Sequence, residues 1–410
     1  MPNWLLKRNA STIPSARYFG LTPSQQERTG TTMVKPAADL PADEHVAEII
    51  LSGYVKGDVI YDTRHDLGDI FQFEKLFADD YRLKHTRVHA RQSRLRVQAR
   101  SDTDIGYFRA MIEGDFFGGT SSDPALRLRH AWGEWEPVNG AIFGAGQYWR
   151  NFVPPVSGFI TVDENGPAGL ASKPFAPQVR LTHRSGPLEF AISAENSSVN
   201  LIADRVPDLA GRVEYKVPGG SAFYVSGLGR YFSSPADMPE KDHALGWGVH
   251  AGASLNLGDL AVLSAAVTYG TGLGSYLMGG TAAAWFEDTG KAHVLPAWGF
   301  FAGARVYLSD TTSINVGAGY AKPKASALQR AVDYNLGGDD PADGTFTSET
   351  KSLHANFIWE PIEQIRLGWE VMWAQRKYWA AGDPLIDPPP PPRHLKASDL
   401  RGQFGAWFFF

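Results

Sequence analysis

In SRLRVQAR, arginine occupies alternate positions, with Arg94, Arg96 and Arg100 on one side of the alternation and Leu95, Val97 and Ala99 on the other. Arg109, Arg127, Arg129, Arg180 and Arg184 follow within the next four apolar-polar runs. A guanidinium stays charged at any working pH and presents a planar fork of donors that suits carboxylate and phosphate. Arginines set side by side on one surface therefore do the chemistry of attracting anions, provided that neighbouring acids do not neutralise them. In these runs the acids are few, chiefly Glu113 and Asp115, and the expectation is a surplus of positive charge. The competing reading is that strand acids pair with the arginines and stiffen a wall.

No other cluster makes a case for chemistry, so no catalytic residue, metal ligand or cofactor is expected. The eleven histidines are scattered and show no helical i, i+4 pair beside carboxylates. GTGLGSYLMGG (270–280) is glycine-rich but lacks the Lys-Ser/Thr of a phosphate loop. Asp339, Asp340 and Asp343 match no calcium loop. His354 and Asn356 share a strand face, yet no serine nucleophile is placed for lipid-ester hydrolysis.

The elements that must carry the arginines are strands. From Ile49 onward apolar residues recur at two rather than at three and four, which excludes a basic amphipathic helix for SRLRVQAR. QVRLTHR (178–184) and LEFAISAE (188–195) repeat the pattern. Short turns such as PVNG (137–140), PGGS (218–221) and SDTT (309–312) alternate without a break with long Gly/Pro-rich connections such as 63–92, 151–177, 271–296 and 323–347. The alternation predicts sixteen strands, from 48–62 to 399–410, all with their long loops at one end. That is the arrangement of an all-β, antiparallel transmembrane barrel of the outer-membrane type. Aromatics near predicted strand ends, including Tyr61, Phe116, Tyr148, Tyr231, Tyr269, Tyr320, Trp359 and Phe410, would form interfacial girdles.

Composition agrees. Glycine (43 residues) and aromatics (12 %) are plentiful, and no run long and apolar enough for a membrane helix occurs. A formal charge of −5 gives no reason to expect nucleic acid as a partner, and the absence of cysteine excludes a disulfide framework. Residues 1–47 lack the continuous apolar core of a secretory signal and are expected to be a flexible lead-in to a barrel over 48–410.

A sixteen-stranded barrel is too wide for its wall residues to fill, so its centre should hold water. Loop 151–177 is less polar than a solvated loop, and Phe152, Val153, Phe159, Ile160, Val162 and Leu170 are expected to seek burial inside the barrel. Asp163 and Glu164 would then face the arginine arc across a narrow opening. Packing on the rim or on a neighbouring subunit is the alternative for this loop.

GYVKGDVIYD (53–62), SRLRVQARSDTDIGYFRAMIEGDFFG (93–118), LRLRHAWGEW (126–135) and GAGQYWRNF (144–152) together resemble the DcaP-like trimeric porins of Gram-negative bacteria. The resemblance is strongest over roughly 50–200. It implies a homotrimeric sixteen-stranded outer-membrane channel for small, often negatively charged solutes. Within matching motifs, Arg94, Arg96, Arg109, Arg127 and Arg129 become pore-wall candidates, with Gln147 and Trp149 near the constriction. Residues 1–47 show neither the signal nor the periplasmic coiled coil that some members carry.

RGQFGAWFFF (401–410) reads as the last strand, with Phe404, Phe408 and Phe410 on one face, and it resembles the signal read by the barrel-assembly machinery. Both termini would be periplasmic, and outer-membrane lipid and lipopolysaccharide would surround the wall. Two rival functions remain. One is a sugar or aromatic-substrate porin with a stacking track of Trp149, Trp135 and Tyr107, and the other is an outer-membrane enzyme or adhesive barrel.

Overall fold

In a computed structural model, residues 30–33 and 48–410 are described, except for 79–82, 139, 155–157, 172–173, 198–205, 235–237, 280–282, 288, 325–344 and 381–392. Most of the expected lead-in therefore lies outside the described residues, as do Asp339, Asp340, Asp343 and the proline run 388–392.

Sixteen antiparallel strands close on themselves: β1 (Glu48–Asp62), β2 (Arg94–Thr103), β3 (Gly106–Gly119), β4 (Pro124–Pro137), β5 (Ile142–Trp149), β6 (Phe175–Ser185), β7 (Leu188–Glu195), β8 (Asp208–Lys216), β9 (Ala222–Ser233), β10 (His243–Asn256), β11 (Ala261–Thr271), β12 (Pro296–Ser309), β13 (Thr312–Pro323), β14 (Thr345–Ile362), β15 (Ile365–Ala380) and β16 (Arg393–Phe409). Each pairs with its chain neighbour, and β16 returns to β1 from Tyr54 opposite Phe409 to Asp62 opposite Arg401. The C-terminal residue completes that seam, because Phe410 and Gly53 exchange backbone hydrogen bonds of 3.1 and 3.2 Å. Below it, Gly30–Met33 pairs with Ile49–Ser52 and continues the row of β16 along the same edge of β1.

Alternation decides what each strand shows to each side. In β1, Lys56, Asp58, Ile60 and Asp62 are buried inside while Val55, Val59 and Tyr61 stand exposed outside. Phe116, Tyr269, Trp359 and Phe410 are likewise exposed on the outside, but Tyr148 is turned inward and stacks on Trp132. The cause is parity: Tyr148 shares the inner face of β5 with buried Ile142 and Gly144, and β5 pairs with β6 from Ile142 to Trp149 without a register break. A true break falls in β4: Glu113 pairs with His130 and Gly114 with Leu128, leaving Arg129 as the extra residue of a bulge. Arg129 and His130 are consequently both buried inside.

Three long loops supply apolar side chains to the interior. Leu67, Phe71, Phe73 and Leu76 from the loop after β1 meet Ala168 from loop 151–177, Met278 from the loop after β11, and the wall residues Met372 and Tyr378. Phe152 and Val153 meet Leu273, Tyr276 and Leu277 in a second cluster. Close approach of loop to wall depends on glycine: Gly169 has φ +87°, and a Cβ on wall residue Gly319 would lie 2.0 Å from the carbonyl oxygen of Ala168.

Candidate functional site

The arginine wall is built by β2, β3, β4 and β6, whose cross-strand register sets each guanidinium beside an acid. Arg94 faces Asp115 and Arg96 faces Glu113 in the β2–β3 ladder. Arg96 binds Glu113, with its Nε 2.6 Å from the carboxylate. Arg129 donates to Glu113 (2.9 Å) and Asp115 (3.0 Å), and Arg127 clasps both oxygens of Asp115 at 2.9 and 2.6 Å. Arg94 lies 3.6 Å from Glu113. Further along, Arg109 binds Glu134, and Arg184 binds Glu189 at 3.1 Å with Glu136 at 3.9 Å.

This corrects the expectation that Glu113 and Asp115 face the arginines almost alone. Glu134, Glu136 and Glu189 sit on the same inner face, and the surplus is correspondingly smaller. Arg180 and Arg100 are the exceptions among the described residues, with no carboxylate in salt-bridge range. Arg180 instead donates to the backbone carbonyl of Trp149 (2.5 Å) and to Gln178 (2.7 Å), and packs over Trp132 and Tyr148. Arg100 stands directly opposite Arg109 across the ladder.

Loop 151–177 is tied first to the barrel strands β1, β14 and β15. Val162 donates its N–H to Glu370 (2.8 Å) and accepts from Lys56 (2.6 Å), while the Ile160 carbonyl accepts from Asn356 (2.6 Å). Asp163 and Glu164 point in different directions. Asp163 accepts from Arg401 (3.0 Å) and from the backbone N–H groups of Asn165 (2.9 Å) and Phe71 (3.2 Å), which ties the first and third long loops to the β1–β16 seam. Glu164 accepts from Arg129 and Gln92 (2.7 Å), with Arg94 at 3.4 Å and Arg127 at 3.9 Å. A carboxylate resting on the arginines neutralises them locally and cannot face them across an opening, so the expected transverse field between this pair and the arc is not what the geometry provides.

Burial alone would push the Glu164 carboxyl up, but Arg129, then Arg94 and Arg127, outweigh it and hold the group down at about 2. With a folded value below the ordinary 4.5, its stabilising contribution is complete above pH 4.5 and disappears as pH falls toward 2. Ion selectivity recorded in a planar bilayer should therefore show no step from Glu164 between pH 7 and 4.5. Between pH 4.5 and 2 it should shift toward anions, and the part due to Glu164 should vanish in Glu164→Gln.

Below the loop lies an inner cavity of about 430 Å³. Arg94, Arg127, Arg129 and Arg366 reach it against Asp163 and Glu164, and Gln147, Trp149, Phe175 and Trp407 complete its sides. The Gln147 amide is held by the carbonyls of Leu128 (2.9 Å) and Arg129 (3.0 Å). Trp149 packs beside His130 and Phe175, with its indole N–H buried and unpaired. Trp135 faces outward and donates to the Ile105 carbonyl, so a stacking track through Trp149, Trp135 and Tyr107 does not form on one face. His354 and Asn356 are buried inside the barrel, His354 beside Glu370 at 3.5 Å, and so lie away from the outer face where lipid esterolysis would occur. Among the described residues no three His, Asp or Glu side chains are grouped to hold a metal ion.

Sequence reasoning missed two parts of the interior. One is the loop after β11: the Tyr276 hydroxyl lies 3.0 Å from Asp208 and 3.2 Å from Glu195, which compete for its single proton, and accepts from Arg150 (2.6 Å), so it anchors a glycine-rich segment inside the barrel. Its apolar Leu273, Tyr276, Leu277 and Met278 were the available signal. The other is Arg401, whose fork grips Asp62 at 2.7 and 2.9 Å and also reaches the Gly68 carbonyl at 2.7 Å.

No family model matches the chain, and no curated protein matches its sequence. Among solved structures, the chain is similar to the outer membrane channel DcaP of Acinetobacter baumannii, with a TM-score of 0.72 and 21% identity over 89% of this chain and 97% of that one. OmpT of Vibrio cholerae superposes with a TM-score of 0.56 at 10% identity over 89% of this chain and 98% of that one. OprB of Pseudomonas putida gives 0.52 at 9% identity over 89% and 94%. At these identities the likeness speaks to the fold.

Proposed function

We propose that the chain is an outer-membrane porin, a passive diffusion channel for small hydrophilic solutes that favours anions such as organic acids. The observation that carries the reading is which charges face the inner cavity: four guanidiniums line it against two carboxylates, while Glu113, Asp115 and Glu360, which also pair with those arginines, lie outside its lining. A low-dielectric wall with that balance concentrates anions and repels cations. The closed barrel and its likeness to an outer membrane channel support the location; periplasmic placement of both termini and assembly of three copies are part of the proposal. In this reading the solute passes by diffusion.

Reconstitution into a planar bilayer under a salt gradient tests this. A stable conductance with a zero-current potential of the sign for anion preference is expected. Cation preference would overturn the selectivity, and failure of correctly folded protein to conduct would overturn the channel.

A further inference from the structure

On the outer face of the described strands, Asp, Glu, Lys and Arg are absent except in one patch. Lys322 of β13, Glu349 and Lys351 of β14, Lys377 of β15 and Lys396 of β16 all lie there, at the long-loop ends of four consecutive strands. Glu349 sits between Lys351 (3.1 Å) and Lys377 (2.9 Å) and takes a hydrogen bond from Tyr320 (3.1 Å). Lys377 stands directly opposite Lys396 in the β15–β16 ladder. Like charges directly opposite one another destabilise a sheet unless something negative lies between them. One carboxylate against four ammoniums leaves the patch in want of an anion. From β13 to β16 it spans about 14 Å, three interstrand spacings.

The same strands carry an apolar groove of about 530 Å³ nearer the middle of the wall. Its floor is opened by the small residues Ala355 and Gly402, and Tyr61, Phe357, Trp369 and Val371 flank it. Along β14 and β15 the groove lies four to six residues from the lysines, about 13–20 Å at strand rise. That is a lipid's pattern of charge and chain: phosphates at the ammoniums and an acyl tail laid in the groove.

We propose that this face binds a phosphorylated glycolipid of the outer leaflet, its phosphates held by Lys351, Lys377 and Lys396 and one acyl chain seated over Ala355 and Gly402. The proposal rests on the outer-membrane reading for its ligand, and names where on the wall the ligand sits. Glu349 holds two of the lysines side by side, so the phosphate site is formed before the lipid arrives.

Native mass spectrometry of the detergent-solubilised protein, titrated with diphosphoryl lipid A, provides the test. Wild type should retain lipid A at least tenfold more tightly than the triple variant Lys351→Gln, Lys377→Gln, Lys396→Gln. It should discriminate likewise against phosphatidylcholine. Gly402→Trp, which fills the groove and leaves the lysines, should also weaken retention. Equal retention by wild type and the triple variant, or equal retention of phosphatidylcholine, would overturn the site. So would loss of oligomer mass in the triple variant without added lipid, since the patch would then be a contact between copies of the chain. Bilayer conductance of the triple variant should match wild type. Failure of both proteins to conduct would count against the channel reading and leave the lipid measurement standing.

Discussion

Arg401→Ala should cost the barrel about 3–5 kcal/mol, because the substitution strands two buried carboxylates at once. Arg401 and Asp62 are each about 1 % exposed, and Asp163 is 2 % exposed. The guanidinium joins β16 to β1 across the closing seam and carries the third long loop through Asp163. Urea unfolding of the purified protein in lipid vesicles checks this, and Arg401→Lys separates charge from geometry. Lysine keeps one positive charge but has no fork to hold both Asp62 oxygens, so it should recover part of the loss. A shift below about 1 kcal/mol for the alanine variant would mean that solvent reaches the site and that the seam is held elsewhere.

Glu164→Gln should raise the anion-to-cation permeability ratio roughly tenfold. The variant removes one negative charge from the cluster of Arg94, Arg127 and Arg129 beside the inner cavity, while glutamine keeps the size of the side chain. One elementary charge about 6 Å from a permeating ion in water is worth about 0.7 kcal/mol, and its removal favours the anion by that much while disfavouring the cation equally, so the ratio moves by about 1.4 kcal/mol, which is that factor. Reversal potentials of single channels under a salt gradient measure it. An unchanged ratio would show that ions do not pass within reach of this cluster, and a fall would show that the loop had moved off the wall.

Much of this was legible because strand periodicity is local. The strand expected at 178–184 is found at Phe175–Ser185, and that expected at 188–195 at Leu188–Glu195. The last strand starts at Arg393 and not at 399, since its first turns carry Lys396 and His394 outward and break the apolar rhythm. His85–His89, expected within a loop, pairs with the upper half of β1. The wall arginines were visible for the same reason as the strands. Their neutralisation was not, because the partners of Arg109, Arg184 and Arg129 come from register, from a bulge at Arg129 and from a loop, and none of these is written in period two. Glu164 shows the limit most clearly: its membership of loop 151–177 is plain in the sequence, but whether it rests on the arginines or faces them depends on how Val162 and Asp163 are tied down.

The most direct test of the central claim is a crystal of the protein soaked in bromide, with anomalous scattering recorded at the bromine edge and a matching rubidium soak for cations. Bromide is expected inside the barrel, in the cavity bordered by Arg94, Arg127 and Trp149, with no rubidium there. Rubidium in that cavity, or bromide confined to the outer surface, would contradict it.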